Sequence, residues 1–154
     1  MTVRIRDAGA ADLAKIESLL RDADLTTAGV AEQLSGFLVG EDAGEVIAAA
    51  GLEIYGPSTF LRSVAVRPDY RNRGLAGLLV RHLLDRARNA GAHRVYLLTT
   101  TAERYFSRFG FIPVDRSAID PAVQRSAEFG DACCDSAQAM QLVFGGEREN
   151  AQRS

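Results

Sequence analysis

The sequence has little cysteine and no long apolar run, and each absence excludes a class of protein. Its two cysteines, Cys133 and Cys134, are adjacent, so neither a disulfide framework nor a two-pair zinc site can form. No stretch approaches the roughly 20 apolar residues that span a bilayer, and the first fifteen residues contain no apolar segment typical of a signal peptide. We therefore expect a cytoplasmic protein without a metal site or a membrane partner.

Length and composition favour one globular domain. The chain has 154 residues, of which 47% are hydrophobic and 25% are charged, as in average folded proteins. No internal repeat or long linker divides it. We expect a single α/β domain over residues 1–145, followed by a polar, frayed tail at residues 146–154.

Charge is distributed unevenly along the chain. The net charge is −2, but the segment from Arg62 to Arg94 contains eight arginines against two acidic residues. Nucleic-acid-binding proteins usually carry basic charge over a whole face, which the acidic remainder of this chain does not offer. The pattern excludes a general nucleic-acid partner and favours the attraction of one compact anion to one place.

Apolar periodicity predicts the secondary structure. Alternating apolar residues and turn signals predict seven strands, at residues 3–6, 37–41, 46–55, 59–66, 94–100, 111–114 and 137–144. Spacings of three and four predict helices at residues 11–23, 27–34, 74–90, 102–109 and 121–129. Thr26 or Thr27 would cap the second helix, and Asp120 the last. The longest helix has an apolar stripe of Leu75, Leu78, Leu79, Leu83 and Ala87.

The loop before the longest helix has the composition of an anion-binding site. A strand containing Val64, Ala65 and Val66 ends at Pro68, which cannot donate to a strand partner. The loop then presents Arg71, Asn72, Arg73, Gly74, Leu75 and Ala76 at the helix start. Unpaired amides and the helix dipole favour anions there, and glycine permits close approach, so the loop predicts a phosphate or pyrophosphate cradle. Neither GxxxxGK[ST] nor GxGxxG occurs here.

This order of elements resembles the GNAT superfamily of N-acetyltransferases. Arg71-x-x-Gly74-x-Ala76 is similar to the family's acetyl-CoA signature, and TTTAERYFSRFGF is similar to its next block. The resemblance implies a splayed, mixed sheet with acetyl-CoA between strands 59–66 and 94–100. Backbone groups from Val64 to Val66 would hold the pantetheine, amides from Arg71 to Ala76 would hold the pyrophosphate, and a strand amide near Val64 would stabilise the oxyanion.

Two positions depart from the family pattern. Phe60 stands where many members have a carboxylate base, and it cannot accept a proton. Phe106 stands where many have a tyrosine that protonates the leaving thiolate. Tyr105 is one place earlier and turned by about 100° around the helix, so it is the candidate acid at an unfavourable position.

Two other charged residues are candidates for the acceptor site. Glu53 would lie beside strand 59–66 in a hairpin, either as a replacement base facing a polar cleft or on a solvated sheet face. Arg62 has the strand parity of Val64 and Val66 and of Phe60, so we expect all four on one side. Arg62 would either bind an acidic group of the substrate or be an inert surface residue.

Closer resemblances suggest an acceptor. VYLLTTTAERYFSRFGFIPV is similar to the acetylglutamate synthase branch, and GLEIYG, LLTTTAE and SAQAM resemble small acetyltransferases of arsenic-resistance operons. Both imply a small acidic amino-acid-like amine, such as glutamate, phosphinothricin or arsinothricin, and a homodimer is common among relatives. The alternatives are a non-catalytic acyl-CoA-binding domain and an acetyltransferase of a protein or an aminoglycoside.

Overall fold

Seven strands and three α-helices form the part of the chain that the computed structural model describes, residues 2–130 and 136–144. The strands are β1 Arg4–Asp7, β2 Phe37–Asp42, β3 Glu45–Tyr55, β4 Ser58–Val66, β5 Arg94–Thr99, β6 Ile112–Val114 and β7 Gln138–Val143. The helices are α1 Leu13–Asp22, α2 Leu75–Asn89 and α3 Glu103–Ser107. The predicted α/β class and the seven strands are confirmed.

The strands form one mixed sheet in the order β1-β2-β3-β4-β5-β7-β6. All neighbours are antiparallel except β4 and β5, which are parallel. The predicted hairpin of β3 and β4 is confirmed, with Glu53 opposite Phe60. The parallel pair lies in the middle of the sheet, where the predicted cofactor cleft would open.

A helix covers each face of the sheet. On one face α2 buries Leu75, Leu79, Leu83 and Ala87 in a cluster that includes strand residues of β2 to β5. On the other face α1 buries Ile16, Leu19 and Leu20 with residues of β2, β3 and β4. Leu78 was predicted in the apolar stripe but is 39% exposed, whereas Gly77 and Val80, which were not in the predicted stripe, are buried.

Two predicted helices are wrong. Residues 27–34 form turns, with a short 3-10 segment at Leu34–Gly36. The side chain of Thr26 does accept a hydrogen bond from the Ala28 amide, as a cap would. No helix follows, because Gly29 has a φ of +77°. Residues 121–129 contain only the 3-10 segment Val123–Arg125 and the start of a second one. There Ser126 adopts an extended ψ of 142°, which interrupts the helical path.

A bulge in β4 changes which side chains share a face. Ser63 has a φ of +60°, and the β3–β4 register shifts between Ala49 and Gly51, so β4 contains an extra residue there. Val64 and Val66 therefore pack in the α2-side cluster, whereas the Arg62 guanidinium lies over Phe37 on the α1 side. The parity prediction for Arg62 relative to the two valines is wrong, because alternation does not continue through a bulge.

The buried carboxylate of Asp12 makes stability depend on acid pH. Hydrogen bonds from Arg6, at 2.8 and 2.9 Å, and from the Gly9 amide hold the pKa of Asp12 at about 2, against the cost of burial. Because this pKa lies below the unfolded value, the contribution is present above about pH 4 and is lost as the pH falls towards 2. We expect Asp12→Asn to remove about 2 kcal/mol at most of this pH-dependent stability, measured by urea unfolding between pH 2 and 6. If the free energy of unfolding of the variant depends on pH between 2 and 6 as it does in the unmodified protein, the prediction is contradicted.

Candidate functional site

The central strands separate and open a cleft. Parallel pairing joins Ser58–Phe60 of β4 to Arg94–Tyr96 of β5, and in the described sheet it goes no further. The remaining residues of both strands diverge, and the space between them is lined by Leu61 to Val64 and by Leu97 to Thr99. The separation of β4 and β5 is the splayed geometry that the family resemblance implied. It leaves peptide groups at the edges of the two strands facing a cavity.

A second part of the cleft continues towards the start of α2. It is lined by Ala23, Val64, Ala65, Val66, Arg71, Ala76, Tyr105 and Phe106. The Arg71 side chain crosses this region and donates from Nε to the Val66 carbonyl, at 2.9 Å. Of the predicted cofactor set, three consecutive strand residues, Arg71 of the loop and Ala76 of α2 thus lie along one continuous surface.

The loop before α2 places amides at the end of this surface. Asn72 and Gly74 have φ angles of +64° and +79°, and α2 begins at Leu75. The hydrogen bond from the Leu78 amide to the Gly74 carbonyl is the first of the helix, at 3.1 Å, so the amides of residues 75–77 have no partner within the helix. A Cβ on Gly74 would meet no atom within 4 Å. The space beside these amides is therefore open to a ligand.

These residues fit the coenzyme that the sequence implied. The open amides and Arg71 suit a pyrophosphate, and the strand edge from Val64 to Val66 suits the amide-containing pantetheine arm. Arg73 lies over the Tyr70 ring at 5.3 Å, beside the same loop. When bound, acetyl-CoA would supply an acetyl thioester between β4 and β5.

Tyr105 lines the part of the cleft near α2, whereas Phe106 lines both parts. A Cβ on Gly77 of α2 would lie 3.5 Å from the Tyr105 hydroxyl, so this hydroxyl points to the cofactor side, near the first turn of α2. Burial raises the pKa of Tyr105, although Arg108 and Arg81 lower it, and the phenol is therefore protonated at neutral pH. It can donate a hydrogen bond from that position.

The cavity between β4 and β5 has a volume of about 140 Å³, similar to the roughly 150 Å³ that accommodates benzene in a protein interior. Its charged lining residues, among those described, are Asp24, Arg62 and Glu128. Asp24 is exposed at the loop after α1, whereas the other two side chains are at most 10% exposed. The cavity is suited to a small polar ligand.

Arg62 and Glu53 form a buried ion pair. Arg62 Nη1 donates to Glu53 Oε2 at 2.9 Å, and both side chains are at most 1% exposed. The Tyr55 hydroxyl donates to the other oxygen, Glu53 Oε1, and burial followed by this contact raises the pKa of Tyr55 to about 12. The sequence alternatives of a solvated Glu53 and a surface Arg62 are both wrong. Both Glu53 oxygens are engaged, and this residue is not one of the described residues that line the cavity.

Glu128 is a site residue that sequence reasoning missed. Its Oε2 lies 3.3 Å from Arg62 Nε, which also donates to Ser63 Oγ at 2.8 Å. Glu128 lies in the predicted helix 121–129, and the sequence pattern assigns it no role. The available signal was its position among apolar residues, between Ala127 and Phe129, where an isolated carboxylate needs a partner.

The two phenylalanines that the family resemblance set at proton-transfer positions are structural here. Phe60 is fully buried and packs against the Phe129 ring at 5.3 Å. Phe106 packs edge-on against Tyr105 and Phe111. Neither position can transfer a proton, as the sequence predicted.

The remaining sequence features concern the two cysteines, the tail, metal ions and membrane spans. Cys133 and Cys134 lie outside the described residues, as does the tail. Over residues 2–130 and 136–144, no group of three or more histidine, cysteine or acidic side chains could hold a metal ion. In the same ranges none of the helices has both the length and the apolar character of a membrane span.

Solved structures share this fold. One is N-acetylglutamate synthase from Neisseria gonorrhoeae, complexed with coenzyme A and N-acetyl-glutamate, which matches with a TM-score of 0.80 and 20% identity over 94% of this chain and 35% of its own. Another is Rv2747 from Mycobacterium tuberculosis, in complex with CoA and NLQ, with a TM-score of 0.77 and 24% identity over 92% and 99% of the two chains.

Curated relatives and a family model also point to acetyltransferases. The amino-acid acetyltransferase of Pasteurella multocida is 34% identical over 70 residues, which are 44% of this chain and 16% of the relative. That of Aeromonas salmonicida is 29% identical over 95 residues, 60% and 22% of the two chains. The chain therefore matches about a sixth to a fifth of the length of these relatives. The model described as acetyltransferase (GNAT) family matches residues 9–111, and the chain belongs to this family.

Proposed function

We propose that this chain is an acetyl-CoA-dependent N-acetyltransferase that acetylates the amine of a small, acidic, amino-acid-like molecule. The observation that carries the proposal is the end of β4–β5 pairing at Phe60 and Tyr96, in line with the open amides before α2. That arrangement holds a phosphate at one end and leaves a cavity for the reacting groups at the other. The amine would attack the thioester directly, because proximity supplies much of the rate.

The acceptor class is supported by the cavity and by the relatives. A buried arginine faces a small cavity, and guanidinium groups bind carboxylates and phosphonate-like groups through paired hydrogen bonds. The matched curated relatives are amino-acid acetyltransferases. We propose Arg62 as the residue that binds an acidic group of the acceptor, which includes glutamate and the glutamate-like compounds phosphinothricin and arsinothricin.

Residues of the cofactor side have separate roles in this proposal. Backbone groups of Val64 to Val66 bind the pantetheine, and amides from Arg71 to Ala76 bind the pyrophosphate. A β4 amide near Val64 stabilises the oxyanion. Tyr105 adds a hydrogen-bond donor near α2, and it is the candidate acid for the leaving thiolate.

A thiol-release assay with acetyl-CoA tests the function. Glutamate, aspartate and their phosphinic and arsonic analogues are compared with an aminoglycoside and a peptide with a free N-terminus. We expect release with the acidic amino acids and little with the other two. Release only with the peptide or the aminoglycoside would contradict the acceptor class.

A second candidate is a non-catalytic acyl-CoA-binding domain. It is favoured by Phe60 and Phe106, which are buried at positions where many family members have proton-transferring groups. Calorimetry separates the two functions: binding of acetyl-CoA without thiol release from any amine would support the binding domain.

A further inference from the structure

Two buried carboxylates flank one guanidinium at the end of the cleft between β4 and β5. Glu53 and Glu128 both contact Arg62. Glu53 is covered by Arg62 and Tyr55, whereas Glu128 lines the cavity. A ligand group that contacts Glu128 is therefore favoured when it carries positive charge.

Arg62 also has an unused donor. Nε donates to Ser63 Oγ and Nη1 donates to Glu53. Nη2 is buried, and no described atom accepts a hydrogen bond from it. Leaving a buried donor unsatisfied costs about 1–3 kcal/mol, so a ligand that accepts from Nη2 recovers that energy. A carboxylate oxygen is the strongest acceptor for a guanidinium.

We propose that Arg62 and Glu128 bind the acceptor as a zwitterionic α-amino acid, and that Glu128 takes the proton from its α-ammonium group. In this arrangement Nη2 of Arg62 donates to the α-carboxylate. Oε2 of Glu128 lies 3.3 Å from Arg62 Nε, so one cation and one anion stand side by side. An α-amino acid carries its ammonium and its carboxylate on one carbon, so it presents opposite charges to these two neighbouring groups at once. The inference rests on the proposed function and names its acceptor class and base.

Acetylation of the amine moves two protons from the nitrogen in each turnover. Glu128 accepts one proton from the ammonium, which leaves a neutral amine with a free electron pair. The nitrogen forms a bond to the acetyl carbon, and the carbon–sulfur bond breaks with its electron pair on sulfur. The nitrogen loses a second proton as the amide forms, and the thiolate takes up one proton. Glu128 returns its proton to water, so one proton is released per turnover.

Glu53 is a positioning residue in this scheme. Its carboxylate fixes Nη1 of Arg62 and is itself fixed by Tyr55, so it orients the Nη2 edge without touching the substrate. This differs from the role of base that the sequence suggested for Glu53. The two roles predict different kinetics for Glu53→Gln: loss of a base lowers kcat, whereas loss of positioning mainly raises the KM of the amino acid.

Substrate variation tests the carboxylate contact in the unmodified protein. Glutamate is compared with its α-amide and with glutamine, the side-chain amide, in the thiol-release assay. We expect kcat/KM to fall roughly 30-fold or more for the α-amide, the effect of losing one buried charge-assisted contact, and to fall more than for glutamine. Equal values for glutamate and its α-amide would overturn the proposal.

Variants of three glutamates test the proton transfer. We expect Glu128→Gln to lower kcat by about 10²–10⁴ at neutral pH, with the deficit shrinking at high pH, where the free amine forms in water. Glu128→Asp should recover part of the rate. Glu53→Gln should chiefly raise the KM of the amino acid, and Glu32→Gln, at an exposed position outside the cleft, should match the unmodified protein. Full kcat in a folded Glu128→Gln variant would overturn the proposal that Glu128 is the base. If the unmodified protein releases no thiol with any amine, the proposed function itself is overturned.

Discussion

Replacing Arg62 with methionine is expected to lower the free energy of unfolding by about 3–5 kcal/mol, because it removes the cation that pairs with the buried Glu53 carboxylate and the contact of Arg62 with Glu128. Glu53 is 1% exposed and Glu128 is 7% exposed, so water cannot replace the lost charge. Urea unfolding at neutral pH measures the loss. The double variant Arg62→Met/Glu53→Gln should regain part of it, since the buried charge of Glu53 is then removed.

An exposed arginine provides the matched control for this measurement. Arg86 pairs with Asp7 at 2.9 Å, but the two side chains are 39% and 73% exposed. We expect Arg86→Met to change stability by no more than about 1 kcal/mol. If Arg62→Met does not fold, Arg62→Lys keeps the charge but not the planar fork and is measured in the same way. If Arg62→Met or Arg62→Lys loses no more free energy of unfolding than Arg86→Met, the buried ion pairs of Arg62 are contradicted.

Valine at position 74 is expected to weaken acetyl-CoA binding at least tenfold, or about 1.4 kcal/mol. Gly74 has a φ of +79°, and a Cβ there would point into open space. The added side chain would thus occupy the space beside the α2 amides rather than collide with the protein. Isothermal calorimetry with acetyl-CoA measures the change in affinity.

Gly44 separates backbone strain from ligand exclusion. It has a φ of +82° in the β2–β3 turn, and a Cβ there would also meet no atom within 4 Å. Because a side chain is strained at both positions, Gly44→Val and Gly74→Val should each lose roughly 1–3 kcal/mol of stability. Affinity for acetyl-CoA should fall in Gly74→Val alone. Equal affinities in the two variants would contradict the cradle.

Local patterns succeeded where one segment contains its own signals. Pro68 and Gly74 mark the two ends of the loop before α2, and apolar spacing of three and four marks the helix that follows. They failed where conformation depends on distant contacts. Residues 121–129 have a good helical pattern, but Ser126 is extended and Phe129 packs on Phe60, a contact between residues far apart in the chain.

The sequence by itself determined the seven strands, the loop before α2 and the family, because strand alternation, proline, glycine and the helix start act over a few neighbouring residues. Only the tertiary structure decided which charges meet. Glu53, Arg62 and Glu128 come from β3, β4 and a late 3-10 segment, and the bulge at Ser63 turns Arg62 away from the face of Val64 and Val66. Long-range register and burial, which no local pattern encodes, therefore decided which charges line the cavity between β4 and β5.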